Sequence, residues 1–259
     1  MQMRDNVSTY SAGSVPVINI LGIPFHALTQ KETLDMLTGF VGGKRNHIVV
    51  TPNPEGVMQA KRNPSFAAAL KTADLSLADG TGIVMAARYT RQSIPGRVRG
   101  VDTTFALFER LSNEAGTLRN FTVYFLGGKP GVAEKAAINI KSRFPGVEVV
   151  GYHHGFFEDD THIISEINEL SPDVLLVCTG MPRAELWATK NRDINARITM
   201  CVGGTLDIIA GEVALAPAFL RMLGLEWLYR LAKQPSRFKR MLDIPRFVWA
   251  VVVGTHALP

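Results

Sequence analysis

Residues 47–82 read HIVVTPNPEGVMQAKRNPSFAAALKTADLSLADGTG, and their pattern decides the fold class. Two apolar runs in this stretch end abruptly in residues able to do chemistry. Ile48-Val49-Val50 stops at Thr51-Pro52-Asn53-Pro54-Glu55, and the run around Leu75 and Leu77 stops at Asp79-Gly80-Thr81-Gly82. Each reads as a strand whose end faces a cleft.

Comparable strand-like runs recur outward from this pair, at 121–126, 147–152, 174–179 and 198–202, with helical periodicity between them. That alternation is the βαβ pattern. The runs are apolar without clean alternation, as parallel strands covered on both faces require. Upstream, 15–26 reads as a short extended pair broken at Gly22 and Pro24. A helix follows, with Thr29 as N-cap, Glu32 in capping-box position and Leu34, Leu37 and Val41 on its apolar face. From Pro217 onward the pattern is helical, with aromatic and basic residues interleaved. The expected architecture is an α/β, Rossmann-like core with a largely parallel sheet over 1–216 and a C-terminal helical appendage over 217–259.

With 259 residues and 46% hydrophobic content the chain can bury a sizeable core. Cys178 and Cys201 both lie in apolar runs and read as buried thiols of a reduced compartment; a disulfide requires the two runs to be neighbours. The polar N-terminus MQMRDNVSTYSAGS lacks the apolar region of a signal peptide, so a cytoplasmic protein is expected. The apolar run from Phe247 to Leu258, 12 residues, falls short of the ~20 that span a membrane. Net charge is +5, and all of it resides between Arg221 and Arg246, where seven basic residues face two acidic ones. A neutral core with one basic end gives nucleic-acid binding little support. The basic, apolar end instead fits an anionic membrane surface or a diphosphate clamp.

Parallel sheets collect ligands at the carboxyl ends of their strands. Asp79, flanked by glycines there, is placed to act as a general base on a substrate hydroxyl; a turn or capping aspartate is the alternative. Thr51 and Asn53 can hydrogen-bond a sugar or phosphate, while Glu55 suits the first turn of the next helix. Gly127-Gly128-Lys129-Pro130-Gly131 either offers backbone N–H groups to a phosphate or is a tight turn; it is neither G-x-G-x-x-G nor a P-loop. His153 and His154, adjacent on an extended segment, should point opposite ways and not ligate one metal together. No D-x-D triplet occurs, and no catalytic metal is expected.

Several segments in order carry a further signal: Thr51-Pro52-Asn53-Pro54-Glu55, Asp79-Gly80-Thr81-Gly82, Arg97-Val98-Arg99-Gly100-Val101-Asp102, Phe125-Leu126-Gly127-Gly128 and Gly151-Tyr152-His153-His154-Gly155. They continue with Gly180-Met181-Pro182-Arg183-Ala184-Glu185, Val202-Gly203-Gly204-Thr205-Leu206-Asp207 and Gly224-Leu225-Glu226-Trp227. Together they resemble the WecG/TagA/CpsF family of bacterial glycosyltransferases. The resemblance implies a metal-independent, inverting transfer from a UDP-sugar to an undecaprenyl-diphosphate-linked sugar, without a cofactor, at the inner face of the cell membrane. It implies Asp79 as base with Thr51 and Arg97 in the active site. It further implies Asn53, Gly127, Gly128, Gly180, Pro182, Glu185, Gly203, Gly204 and Asp207 as substrate-binding positions, and Arg230, Arg237 and Arg240 as appendage cations that meet the donor diphosphate. Two positions depart from the family's frequent pattern: Ala184 stands in place of glutamine and Leu215 in place of arginine, so recognition of the sugar differs and a hexose donor such as UDP-glucose comes into range. A homo-oligomer is compatible with the sequence. The rival readings are a nucleotide-dependent oxidoreductase built on Gly127–Gly131 and a non-catalytic membrane-surface adaptor.

Overall fold

The structure, a computed structural model, describes residues 15–114, 120–222, 224–233 and 238–253. A hairpin of β1 (Val17–Ile20) and β2 (Ile23–His26) precedes α1 (Gln30–Val41). The α/β alternation then runs β3 (His47–Val50), α2 (Pro54–Arg62), α3 (Pro64–Thr72), β4 (Leu75–Ser76), α4 (Thr81–Tyr89), α5 (Gly100–Glu114), β5 (Phe121–Gly127), α6 (Val132–Arg143) and β6 (Val147–His153). It closes with α7 (Thr161–Leu170), β7 (Val174–Cys178), α8 (Arg183–Lys190), β8 (Ile198–Cys201) and α9 (Thr205–Ile209). The remainder is helical: α10 (Ala218–Met222), α11 (Glu226–Lys233), α12 (Phe238–Met241) and α13 (Asp243–Val253).

The local signals act as physics dictates. Thr29 Oγ1 accepts from Glu32 N–H and Glu32 Oε2 accepts from Thr29 N–H, a reciprocal capping box that starts α1. Asn53 and Asn63 each cap a helix opened by proline, with side-chain oxygens accepting from Gly56 N–H and Phe66 N–H.

The main sheet has six parallel strands in the order β4-β3-β8-β7-β5-β6. Side chains alternate faces along each strand: Ile48 and Val50 join one core layer with Leu175 and Val177, while Val49 joins the other with Val174 and Leu176. The first layer is closed by α2, α3, α4, α7, α8, α13 and the hairpin, the second by α1, α5, α6 and α9. The edge strand β4 is shorter than the sequence predicts. Its Ser76 N–H goes to His26 Nδ1 at 3.0 Å, so the hairpin covers part of the edge. Burial holds His26 below its ordinary pKa, which keeps that nitrogen free to accept.

Cys178 and Cys201 are both free and buried, on neighbouring strands. At the end of β5, Gly127 (φ +148°) lies against the Cys178 backbone, where a Cβ would sit 2.5 Å from the carbonyl. Only glycine fits that crossing.

The C-terminal helices are tied to the core by charge. Arg99, just before α5, is 4% exposed and pairs with Asp102 at 2.9 Å and with Glu226 of α11 at 2.7 Å. Asp243, at the start of α13, receives both terminal nitrogens of Arg62 at 2.9 and 2.5 Å. Removing Glu226 would leave the buried Arg99 guanidinium with only one of its two carboxylate partners, Asp102, whose side chain is 43% exposed. Glu226→Ala is therefore expected to cost about 3 kcal/mol, read as a lowered urea midpoint; an unchanged midpoint would show that Arg99 does not depend on α11.

Candidate active site

The helices that follow β3 and β8 leave toward opposite faces of the sheet, α2 to one and α9 to the other. Neighbouring strands with diverging connections open a crevice at their carboxyl ends. Three segments meet there. Thr51 Oγ1, after β3, donates to the Cys201 carbonyl of β8 at 3.1 Å. Gly100, the first residue of α5, approaches both so closely that a Cβ would lie 3.1 Å from Thr51 Oγ1 and 3.2 Å from Val202 Cγ1. Gly100 N–H points to Asp79 Oδ2 at 3.4 Å. The Asp79 carboxylate thus sits at the amino end of a 15-residue helix, where the macrodipole and orphan N–H groups favour an anion.

The 51–55 and 79–82 loops pack on each other, Pro54 against Gly80 and Gly82. The helical end seats against the second loop: a Cβ on Gly224 would lie 2.7 Å from Thr81 Oγ1. Arg97 Nη2 donates to the Arg221 carbonyl at 3.1 Å, and the Arg221 guanidinium lies 3.9 Å from Asp102. Arg240 Nε lies 3.8 Å from Glu55 Oε1, at the first turn of α2. Thr51, Asn53, Asp79, Arg97 and Arg240 are accordingly gathered around one crevice. The Arg230 side chain and Arg237 lie outside the described residues.

The glycine-rich positions follow β8, β7 and β5, one, two and three strands from β3 along the sheet. Gly128 N–H points to the Cys178 carbonyl at 3.4 Å and its carbonyl accepts from Gly155 N–H at 2.8 Å, so this turn is occupied in joining β5, β6 and β7. Gly180 and the cis Met181–Pro182 peptide follow β7, and Met181 reaches across to Gly56 of α2. Gly203 and Gly204 lead from β8 into α9, where the Asp207 carboxylate lies near Gly204. At the ~4.8 Å strand spacing, the end of β5 stands roughly 14 Å from that of β3. His153 and His154 do not diverge as an extended segment requires. The strand stops at His153, and the two rings lie 4.3 Å apart and tilted. Among the described residues no group of three or more His, Cys, Asp or Glu is arranged to hold a metal ion.

Sequence reasoning did not single out Arg99, Arg221 or Glu226, which join the appendage to the crevice. A signal was present. In Arg97-Val98-Arg99 the period of two sends both arginines one way and Val98 into the core.

A carboxylate on a helix terminus, a hydroxyl and an amide on an adjoining loop and guanidinium groups from the C-terminal helices thus lie at the carboxyl end of an α/β sheet. The chain belongs to the glycosyl transferase WecG/TagA/CpsF family, whose model matches residues 18–257. It is 33% identical over 221 residues to an N-acetylglucosaminyldiphosphoundecaprenol N-acetyl-beta-D-mannosaminyltransferase of Bacillus spizizenii, covering 85% of this chain and 84% of the relative. Proteins of the same description from Bacillus subtilis and Staphylococcus aureus are 28% and 29% identical over 247 and 238 residues. Those alignments cover 95% and 90% of this chain, and 92% and 91% of the relatives.

Glu185, in the first turn of α8, is 5% exposed, and its Oε2 has no hydrogen-bond partner. Burial pushes its carboxyl up to about 7, with its own backbone N–H opposing. A carboxyl that holds its proton more tightly when folded costs stability as pH rises from its ordinary value, 4.5, toward 7, and nothing further above that. Over this window the loss is about 3 kcal/mol. Glu185→Gln, which cannot ionise, should remove that slope and gain about 3 kcal/mol on the parent between pH 4.5 and 8. Urea unfolding at the two pH values checks it, and parallel curves for the two proteins would refute it.

Proposed function

We propose that this chain transfers a sugar, of hexose or N-acetylhexosamine type, from a UDP-sugar to a sugar linked to undecaprenyl diphosphate, with inversion at the anomeric carbon. The observation that carries the reading is the Asp79 carboxylate at the amino end of α5, between the Thr51 loop and the appendage. Asp79 takes the proton of the acceptor hydroxyl, the freed oxygen forms its bond to the anomeric carbon, and the bond from that carbon to the diphosphate breaks. One carboxylate suffices, as for the base of an inverting glycosidase, with a sugar alcohol in place of water.

UDP departs with added negative charge, and in this proposal fixed guanidinium groups receive it, with Arg97 and Arg240 the described candidates. Thr51 and Asn53 orient the sugars. Gly180, Pro182, Gly203, Gly204 and Asp207 shape the crevice on the β7 and β8 side, and Gly127 and Gly128 hold its far wall. The described residues from 217 onward act as a docking unit for an anionic membrane surface, which places the enzyme at the inner face of the cell membrane. Support comes from the basic charge of 221–246 and from the exposed Phe219, Leu228 and Phe238. No helix among the described residues is long and apolar enough to cross a membrane.

The relatives' descriptions name an N-acetylmannosaminyl donor group and an N-acetylglucosaminyl-diphospholipid acceptor. Ala184 is small and buried and brings no side-chain amide of its own, and in this proposal the donor is open to a sugar without an N-acetyl group. A panel of UDP-sugars, scored by acceptor-dependent UDP release, identifies the donor. With that donor, Asp79→Asn is expected to lower turnover by at least about 100-fold; turnover close to that of the parent would overturn Asp79 as base.

A further inference from the structure

A groove of about 630 Å³ runs between α2 and α13. Its apolar lining includes Met58, Leu242, Trp249 and Val253, and Lys61 and Arg246 stand in it as cations. α13 turns Phe247, Ala250 and Val251 inward, yet leaves Trp249 70% exposed along the groove. A large aromatic so exposed in an apolar concavity marks a binding surface.

The groove and the crevice share one helix, α2. α2 begins at the loop that carries Thr51 and Asn53, and at 1.5 Å per residue Met58 lies about 8 Å and Lys61 about 12 Å along its axis from Asn53. Arg240 stands over the first turn of α2, between crevice and groove. Along this one helix the surface therefore passes from sugar-binding groups, through a cation, to an apolar channel with further cations. A molecule made of a sugar, a diphosphate and a hydrocarbon chain has that order of chemistries.

We propose that the α2–α13 groove seats the first isoprene units of the lipid-diphosphate acceptor, an inference that rests on the acceptor assigned under the proposed function. A bare bilayer surface calls for a convex apolar patch, whereas a concave groove between two helices fits one chain. The cations beside it match the diphosphate and do not match an apolar protein face.

The probes are isoprenyl diphosphates of ten, fifteen and twenty carbons, titrated calorimetrically into the full chain below their micellar concentrations without lipid or detergent. Inorganic pyrophosphate is the headgroup control. Affinity is expected to rise by at least about tenfold with each added five-carbon unit, the value for a unit only partly buried in the open groove. Val253→Asp and Trp249→Ala change exposed side chains and should abolish that rise while leaving pyrophosphate affinity unchanged. Equal affinity for pyrophosphate and the twenty-carbon compound would overturn the proposal, as would a chain-length dependence that both variants retain. A dimer that Val253→Asp dissolves, with no isoprenyl binding, would overturn it in favour of a self-interface. Turnover of lipid-linked acceptor without chain-length dependence would sink the groove and leave the transferase reading standing. Chain-length-dependent binding with no UDP-sugar turned over would support the groove and sink that reading.

Discussion

A guanidinium that is 4% exposed cannot be left with one partner, and much of the arrangement of this protein follows from Arg99. Asp102, three residues on, supplies one carboxylate from within α5, and Glu226 supplies the other from the helical end of the chain. The same turn of α5 presents the Gly100 N–H to Asp79. The roof and the floor of the crevice are thereby joined through one buried charge. Arg97, two residues earlier on the same side of an extended segment, repeats the link by donating to the Arg221 carbonyl. A substrate group that displaced the appendage would have to uncover Arg99.

Elements whose boundaries are set by local chemistry were legible in the sequence. The capping box at Thr29 and the apolar runs of β3, β5, β7 and β8 each carry their own signal, so the α/β class and parallel sheet could be read without contacts. What depends on neighbours could not. The open edge of β4 is covered by His26, fifty residues away in sequence, which takes the Ser76 N–H. His153 and His154 converge because β6 ends between them. The order of the strands was also hidden. It follows from which face each crossover helix covers, and apolar runs buried on both sides do not announce a face.

The candidate site could be proposed from its residue types, while its depth could not be read. Asp79 and Thr51 stand out as polar residues ending apolar runs. Glu185 stands in a sequence motif like any surface glutamate in a helix's first turn; only the packing of α8 on the sheet buries it and strips one oxygen of partners. Gly127 and Gly128 show the reverse. A glycine pair after a strand reads equally as a phosphate cradle and as a close crossing, and the contact of Gly127 with the Cys178 backbone demands the crossing whatever else the turn does.

The ion pairs around the crevice divide by depth, and the division separates structural cations from those available to a substrate. Arg99 is held at 2.9 and 2.7 Å with almost no water, and breaking its pairs is expensive. Arg240 meets Glu55 at 3.8 Å with its side chain 59% exposed, and Arg221 meets Asp102 at 3.9 Å. Long, solvated pairs of this kind contribute at most about 1 kcal/mol. A diphosphate carries more charge than one carboxylate and accepts bidentate guanidinium contacts, so it competes for Arg240 at little cost to the fold. In the proposed reaction Glu55 therefore holds Arg240 at the mouth of the crevice without sequestering it. The buried Arg99 keeps the surface from which Arg240 is offered in place.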